Sequence, residues 1–122
     1  VEHVVSLFGM ENEAALREVR EEAGLEVELL TQGRPIGNIS ILPQPFCLLL
    51  EDISPGHQHI DLIYFAHVCG GQLNPSEREV EAARWFSWED LAEETIAEDI
   101  RELGRRAIEQ YREYAQATTP GI

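Results

Sequence analysis

The segment from Asn12 to Gly24 constrains the fold of this chain more than any other, because it is built as an amphipathic helix. Asn12 suits a helix N-cap, the Ala, Leu, Glu and Arg residues that follow are strong helix formers, and Gly24 suits the position that ends a helix. Ala15, Leu16, Val19 and Ala23 fall on one face at helical spacing, so the helix expected from Asn12 to Ala23 must pack against another layer. Beside that apolar line stand Glu18, Glu21 and Glu22, which helical geometry places within an arc of about 100°. Three like charges one turn apart repel by a few tenths of a kcal/mol per pair, and they lie away from the helix N-terminus that would favour them. A hard divalent cation such as Mg²⁺ or Mn²⁺ would reverse the sign of that arrangement. The alternative is a solvated helix face with Arg17 and Arg20 as counter-ions.

The rest of the chain reads mainly as strands. Val4 to Phe8 is a short apolar run ending at Gly9, and Leu25 to Leu30 alternates as a half-exposed strand should. Ile36, Ile39 and Ile41 predict one short strand within a stretch otherwise broken by Gly and Pro. Phe46 to Leu50 and Ile60 to Val68 read as paired central strands, joined through the Ser54-Pro55-Gly56 turn. A further short strand is expected around Arg84, Trp85 and Phe86. A final helix from about Ile96 to Tyr114 should carry Ile96, Ile100, Leu103, Ala107, Ile108 and Tyr111 on one stripe, with Thr118 to Ile122 as a tail. Helices at both ends of a run of strands predict an α/β layered architecture, in one domain over residues 1–122.

Charge narrows the function. Asp and Glu number 23 against 9 basic residues, all of them Arg, for a net charge of −14. Such a surface argues against generic nucleic-acid or membrane binding, since both need basic patches. It suits a divalent-cation binder, or a chain kept soluble by its charge. Cys47 and Cys69 lack metal-ligand spacing and, lying within apolar runs, read as buried free thiols in a reducing cytoplasm. No apolar run is long enough to span a bilayer, and the first residues lack the pattern of a signal peptide.

The nine residues Arg17-Glu18-Val19-Arg20-Glu21-Glu22-Ala23-Gly24-Leu25 resemble, position for position, the second half of the box that marks Nudix hydrolases: Arg-Glu-aliphatic-X-Glu-Glu-X-Gly-aliphatic. His59 to Phe65 looks like that family's central strand, and Arg84 to Leu91 like its strand-to-helix passage. The resemblance implies an α/β/α sandwich with a mixed β-sheet between helices. It also implies Mg²⁺-dependent attack by water on a nucleoside diphosphate linked to another group, so that a small nucleotide is the partner expected. Self-association into a homodimer is left open. By the same resemblance Glu18, Glu21 and Glu22 are metal-site carboxylates facing a shared cleft, with Glu18 either a ligand or the base that activates water. Arg17 would hold them in place, and the Gly9 carbonyl would add a ligand. Glu79, chosen over Glu77 and Glu81, would supply a further carboxylate from a later loop.

The first half of the box departs from the family pattern: counting back from Arg17 puts Gly9 where a Glu belongs and His3 where a Gly belongs. The N-terminal part therefore reads as incomplete. It is either shortened or joined across unseen loops, with breaks expected between His3 and Val4 or between Gly9 and Glu11. That irregularity keeps open a second function, a nucleotide-binding or regulatory module of the same fold without hydrolysis. His57 and His59, two apart on one side of a strand, could touch substrate, form a weak metal pair or serve as turn residues. Trp85, Phe86 and Trp88 could stack on a base or pack in the core.

Overall fold

The computed structural model describes residues 3–9, 12–73 and 85–118. Strand β1 is Val4–Gly9, helix α1 is Asn12–Ala23, and β2 is Leu25–Leu29. Two short strands follow, β3 over Arg34–Ile36 and β4 over Ile39–Ile41. Then come the long strands β5, Cys47–Ser54, and β6, His57–Gly71, a 3₁₀ turn at Asp90–Ala92, and helix α2 over Glu98–Thr118.

Strand β6 organises the sheet. It pairs along one edge with β1, from Val4 opposite His67 to Gly9 opposite Leu62. On its other edge it pairs with β2 near its C-terminal end and with β5 near its start. Every one of these pairings is antiparallel, so the mixed character expected of the sheet does not show among the described residues. The ladder also runs through the N-terminal junction, with Val68 N–H donating to His3 O at 2.9 Å and Val4 opposite His67. The second junction, at residues 10–11, lies outside the described residues.

Side chains alternate across a strand, so β6 presents two different faces. Tyr64 and Ala66 meet Leu7, Leu29 and Ala15 of α1, with Leu16, Val19, Val27 and Leu62 packed around them. Ile63 and Phe65 turn the other way, onto Ala107 and Leu103 of α2, with Val4, Leu30, Cys47 and Leu49. One helix covers each face. This is the α/β/α sandwich, and its two cores rest on alternate residues of a single strand.

Three local expectations change. Where a single strand was expected, β3 and β4 form a separate two-stranded hairpin, because Gly37 at φ +58° permits a tight turn between them. Residues 85–87 form no strand. Instead Ser87 N–H donates to Asp90 Oδ2 at 2.9 Å and Asp90 N–H to Ser87 Oγ at 3.0 Å. These reciprocal bonds of a capping box start the 3₁₀ turn and divert the chain from the sheet. Helix α2 begins at Glu98, beyond Ile96, and Ile100 is 52% exposed rather than part of the buried stripe. Leu103 and Ala107 make that contact, and Thr118 closes the helix where a tail was expected to begin.

Candidate functional site

Packing sets the rotation of α1. Ala15 is buried and Leu16 and Val19 are half-buried against the sheet, so the next line of the helix faces outward. Arg17, Glu18, Glu21 and Glu22 all stand on that exposed line. The helix ends as its sequence demands: Gly24 N–H donates to Arg20 O at 3.1 Å, and Gly24 adopts φ +75°. A left-handed residue here lets the chain turn directly into β2.

The counter-ions are distributed unevenly. Arg20 Nε pairs with Glu26 Oε1 at 2.9 Å, so this guanidinium is engaged across the helix end by a β2 residue. Among the described residues the side chains of Glu18, Glu21 and Glu22 make no ion pair or hydrogen bond, and the Arg17 side chain makes none with them. The positioning contact expected of Arg17 is thus not formed. Three unpaired carboxylates offer hard oxygen donors, which fit Mg²⁺ or Mn²⁺ by their chemistry. As placed, they do not gather into a set of three converging ligands among the described residues.

Gly9 closes β1 opposite Leu62, just ahead of α1, so its backbone lies at the N-terminal approach to the helix. Glu79 lies outside the described residues, as do Glu77 and Glu81. A contact that sequence reasoning missed anchors the other end of α1. Gly71, the last residue of β6 at φ +79°, lies so close to Gly24 that a Cβ there would sit 2.3 Å from the Gly24 carbonyl oxygen. The Gly70-Gly71 doublet is the sequence signal from which this close approach could have been found.

A cleft of about 610 Å³ opens elsewhere, between β1, the 85–88 segment and α2. Its wall carries His3, Trp85, Phe86, Trp88, Leu103 and Arg112, and no residue of α1 lines it. The glutamates therefore do not face this cleft. His3 and Trp85 rings lie 4.2 Å apart, and Trp88 is flanked by the Arg105 and Arg112 guanidinium groups at 4.4 and 5.2 Å. Arg105 also donates to the Trp88 carbonyl at 3.1 Å, so Trp88 is held to α2 in a packing role. His57 and His59 sit near the turn of the β5–β6 hairpin, both exposed, on the α2 side of the sheet by alternation with Ile63.

Residues 11–107 match the NUDIX domain. Among solved structures, a hydrolase of the NUDIX family from Clostridium perfringens matches with a TM-score of 0.64 at 33% sequence identity, over 80% of this chain and 71% of that one. No curated protein matches the chain.

Proposed function

The chain belongs to the NUDIX family, and from that premise we propose that it is an Mg²⁺-dependent hydrolase, with Mn²⁺ able to substitute. Its reaction is cleavage of a pyrophosphate linkage in a nucleoside diphosphate joined to another group: a nucleotide sugar, ADP-ribose, a dinucleoside polyphosphate or a nucleoside triphosphate. The observation that carries this reading is the line of three unpaired carboxylates on α1, left without cationic partners while Arg20 is held by Glu26. Leaving three like charges unneutralised on one helix face favours a cation in their place.

Glu21 and Glu22 are the direct ligands in this proposal, and Glu18 either joins them or accepts the proton of the attacking water. The Gly9 carbonyl and Glu79 complete the donor set. When bound, the cation offsets the phosphate charge and lowers the pKa of the attacking water. A protein of net charge −14 would otherwise repel so anionic a substrate. We take residues 1–122 as one domain and place it in the cytoplasm, where its two free thiols suit a reducing environment. Among the described residues no helix is long and apolar enough to cross a membrane.

A metal at this site stabilises the folded state by mass action, by about 2.7 kcal/mol at a hundredfold excess over Kd. Mg²⁺ should therefore raise the melting temperature of the chain, and the double substitution Glu21→Gln, Glu22→Gln should abolish that rise without loss of fold. An equal response in the double variant would refute the site, leaving only screening of surface charge. Phosphate release from a panel of the four substrate classes then tests the reaction. Stabilisation by Mg²⁺ with no release from any of them would favour the second reading, a nucleotide-binding module without hydrolysis. The exposed, ungathered carboxylates are the observation on that side.

A further inference from the structure

We propose that His57 and His59 form a second metal site, separate from α1, for a borderline divalent ion of the Zn²⁺, Ni²⁺ or Cu²⁺ class. Both residues lie on β6 two positions apart, so strand alternation puts them on the same face. Their Nε2 atoms approach to 3.1 Å, with ring centroids 4.8 Å apart and planes inclined at 75°.

That separation suits a shared ion. With metal–nitrogen bonds of about 2.05 Å, two nitrogens on one ion stand about 2.9 Å apart at a right angle and about 3.35 Å at the tetrahedral angle. The observed distance falls between those limits, so chelation needs only small ring rotations. In the metal-free chain one ring donates a hydrogen bond to the other, and an ion takes the place of that shared proton. Imidazole nitrogen selects Zn²⁺, Cu²⁺ and Ni²⁺ over Mg²⁺, which prefers oxygen. The two sites therefore differ in the ion they take.

The surroundings favour a cation. Glu51 stands opposite His59 in the β5–β6 register, and Asp61 is the next residue of β6 on the same face. The hairpin from Cys47 to Gly71 contains no Arg or Lys. Its backbone is held by pairing from Cys47 opposite Ile63 to Ser54 opposite His57, so the two rings project from a fixed frame. Both rings are exposed, which leaves the ion open to solvent. Only two side-chain donors converge here, since no group of three does so among the described residues. The remaining coordination positions belong to water, which makes the site exchangeable.

The test uses the untagged chain in excess Mg²⁺, titrated with Ni²⁺ by calorimetry and loaded with Cu²⁺ for electron paramagnetic resonance. The expected result is one Ni²⁺ site and a Cu²⁺ spectrum split by two nitrogens. His57→Gln and His59→Gln should each reduce the splitting to one nitrogen. Each should also weaken Ni²⁺ by at least the roughly 10- to 100-fold that loss of a mere outer-shell partner costs. The double variant should lose the site while keeping its circular dichroism spectrum, because both residues are exposed. Glu21→Gln with Glu22→Gln should leave Ni²⁺ affinity unchanged. Ni²⁺ binding that survives in the histidine double variant, or a spectrum with no nitrogen splitting, would overturn the proposal and leave a hydrogen-bonded histidine pair.

Discussion

Substitution of Gly71 by Ala tests how the carboxylate helix is anchored, and Gly56→Ala provides its control. Both glycines are left-handed, at φ +79° and φ +78°, so both variants pay the same conformational penalty of about 1–2 kcal/mol. They differ in what the new Cβ meets. At Gly56, in the β5–β6 turn, nothing lies within 4 Å. At Gly71 the Cβ would stand 2.3 Å from Gly24 O and 3.3 Å from both Gly24 C and Leu25 Cα, all of them backbone atoms. Backbone cannot rotate aside as a side chain can, and forced displacement of this kind costs about 1–3 kcal/mol more. With roughly 4 °C of melting temperature per kcal/mol for a chain of this length, Gly56→Ala should lower the midpoint by about 4–8 °C and Gly71→Ala by about 8–20 °C. Thermal melts followed by circular dichroism read the difference directly. Because Gly24 directly follows the last turn of α1, Gly71→Ala should also shrink the Mg²⁺ stabilisation proposed for the carboxylates, while Gly56→Ala should leave it intact. Equal losses in the two variants would refute the reasoning, since the close approach of Gly24 and Gly71 would then carry no energy.

Ile63 is fully buried between the central strand and α2, so Ile63→Ala should cost about 2–5 kcal/mol through lost burial and the cavity left behind. Ile60→Ala, three residues away at a side chain 66% exposed, should cost no more than about 0.5 kcal/mol in the same denaturant titration. Burial pushes the Cys47 thiol above its ordinary pKa, so at any given pH its thiolate fraction is reduced. Alkylation followed by mass spectrometry should therefore modify exposed Cys69 before half-buried Cys47, and unfolding should remove the difference. Since the folded thiol holds its proton more tightly, whatever stability it contributes is present at neutral pH and lost as pH rises through the thiol range.

The periodic parts of this protein were legible in its sequence. Helix α1 was expected and found over Asn12–Ala23, because its apolar line, N-cap and terminal Gly are all local signals. The pairing of β5 with β6 through the turn at Pro55 and Gly56 was legible too, although both strands run beyond their apolar runs, to Cys47–Ser54 and His57–Gly71. The nine-residue string from Arg17 to Leu25 was enough to point to the family, since residue identity at fixed spacing survives without a fold. Pairing between distant segments was not legible. Trp85 and Phe86 have the composition of a strand, yet the Ser87–Asp90 bonds end any extension there. Ile100 fits the apolar stripe of α2, yet the sheet meets that helix at Leu103 and Ala107. Arg20 stands in line with the glutamates of its own helix but is held by Glu26 across the turn into β2. The Gly24–Gly71 contact and the 3.1 Å approach of His57 and His59 belong to the same class. Local periodicity determines which face of an element is apolar. Which atom finally meets which depends on the position and angle at which distant elements pack, and that only the tertiary structure decided.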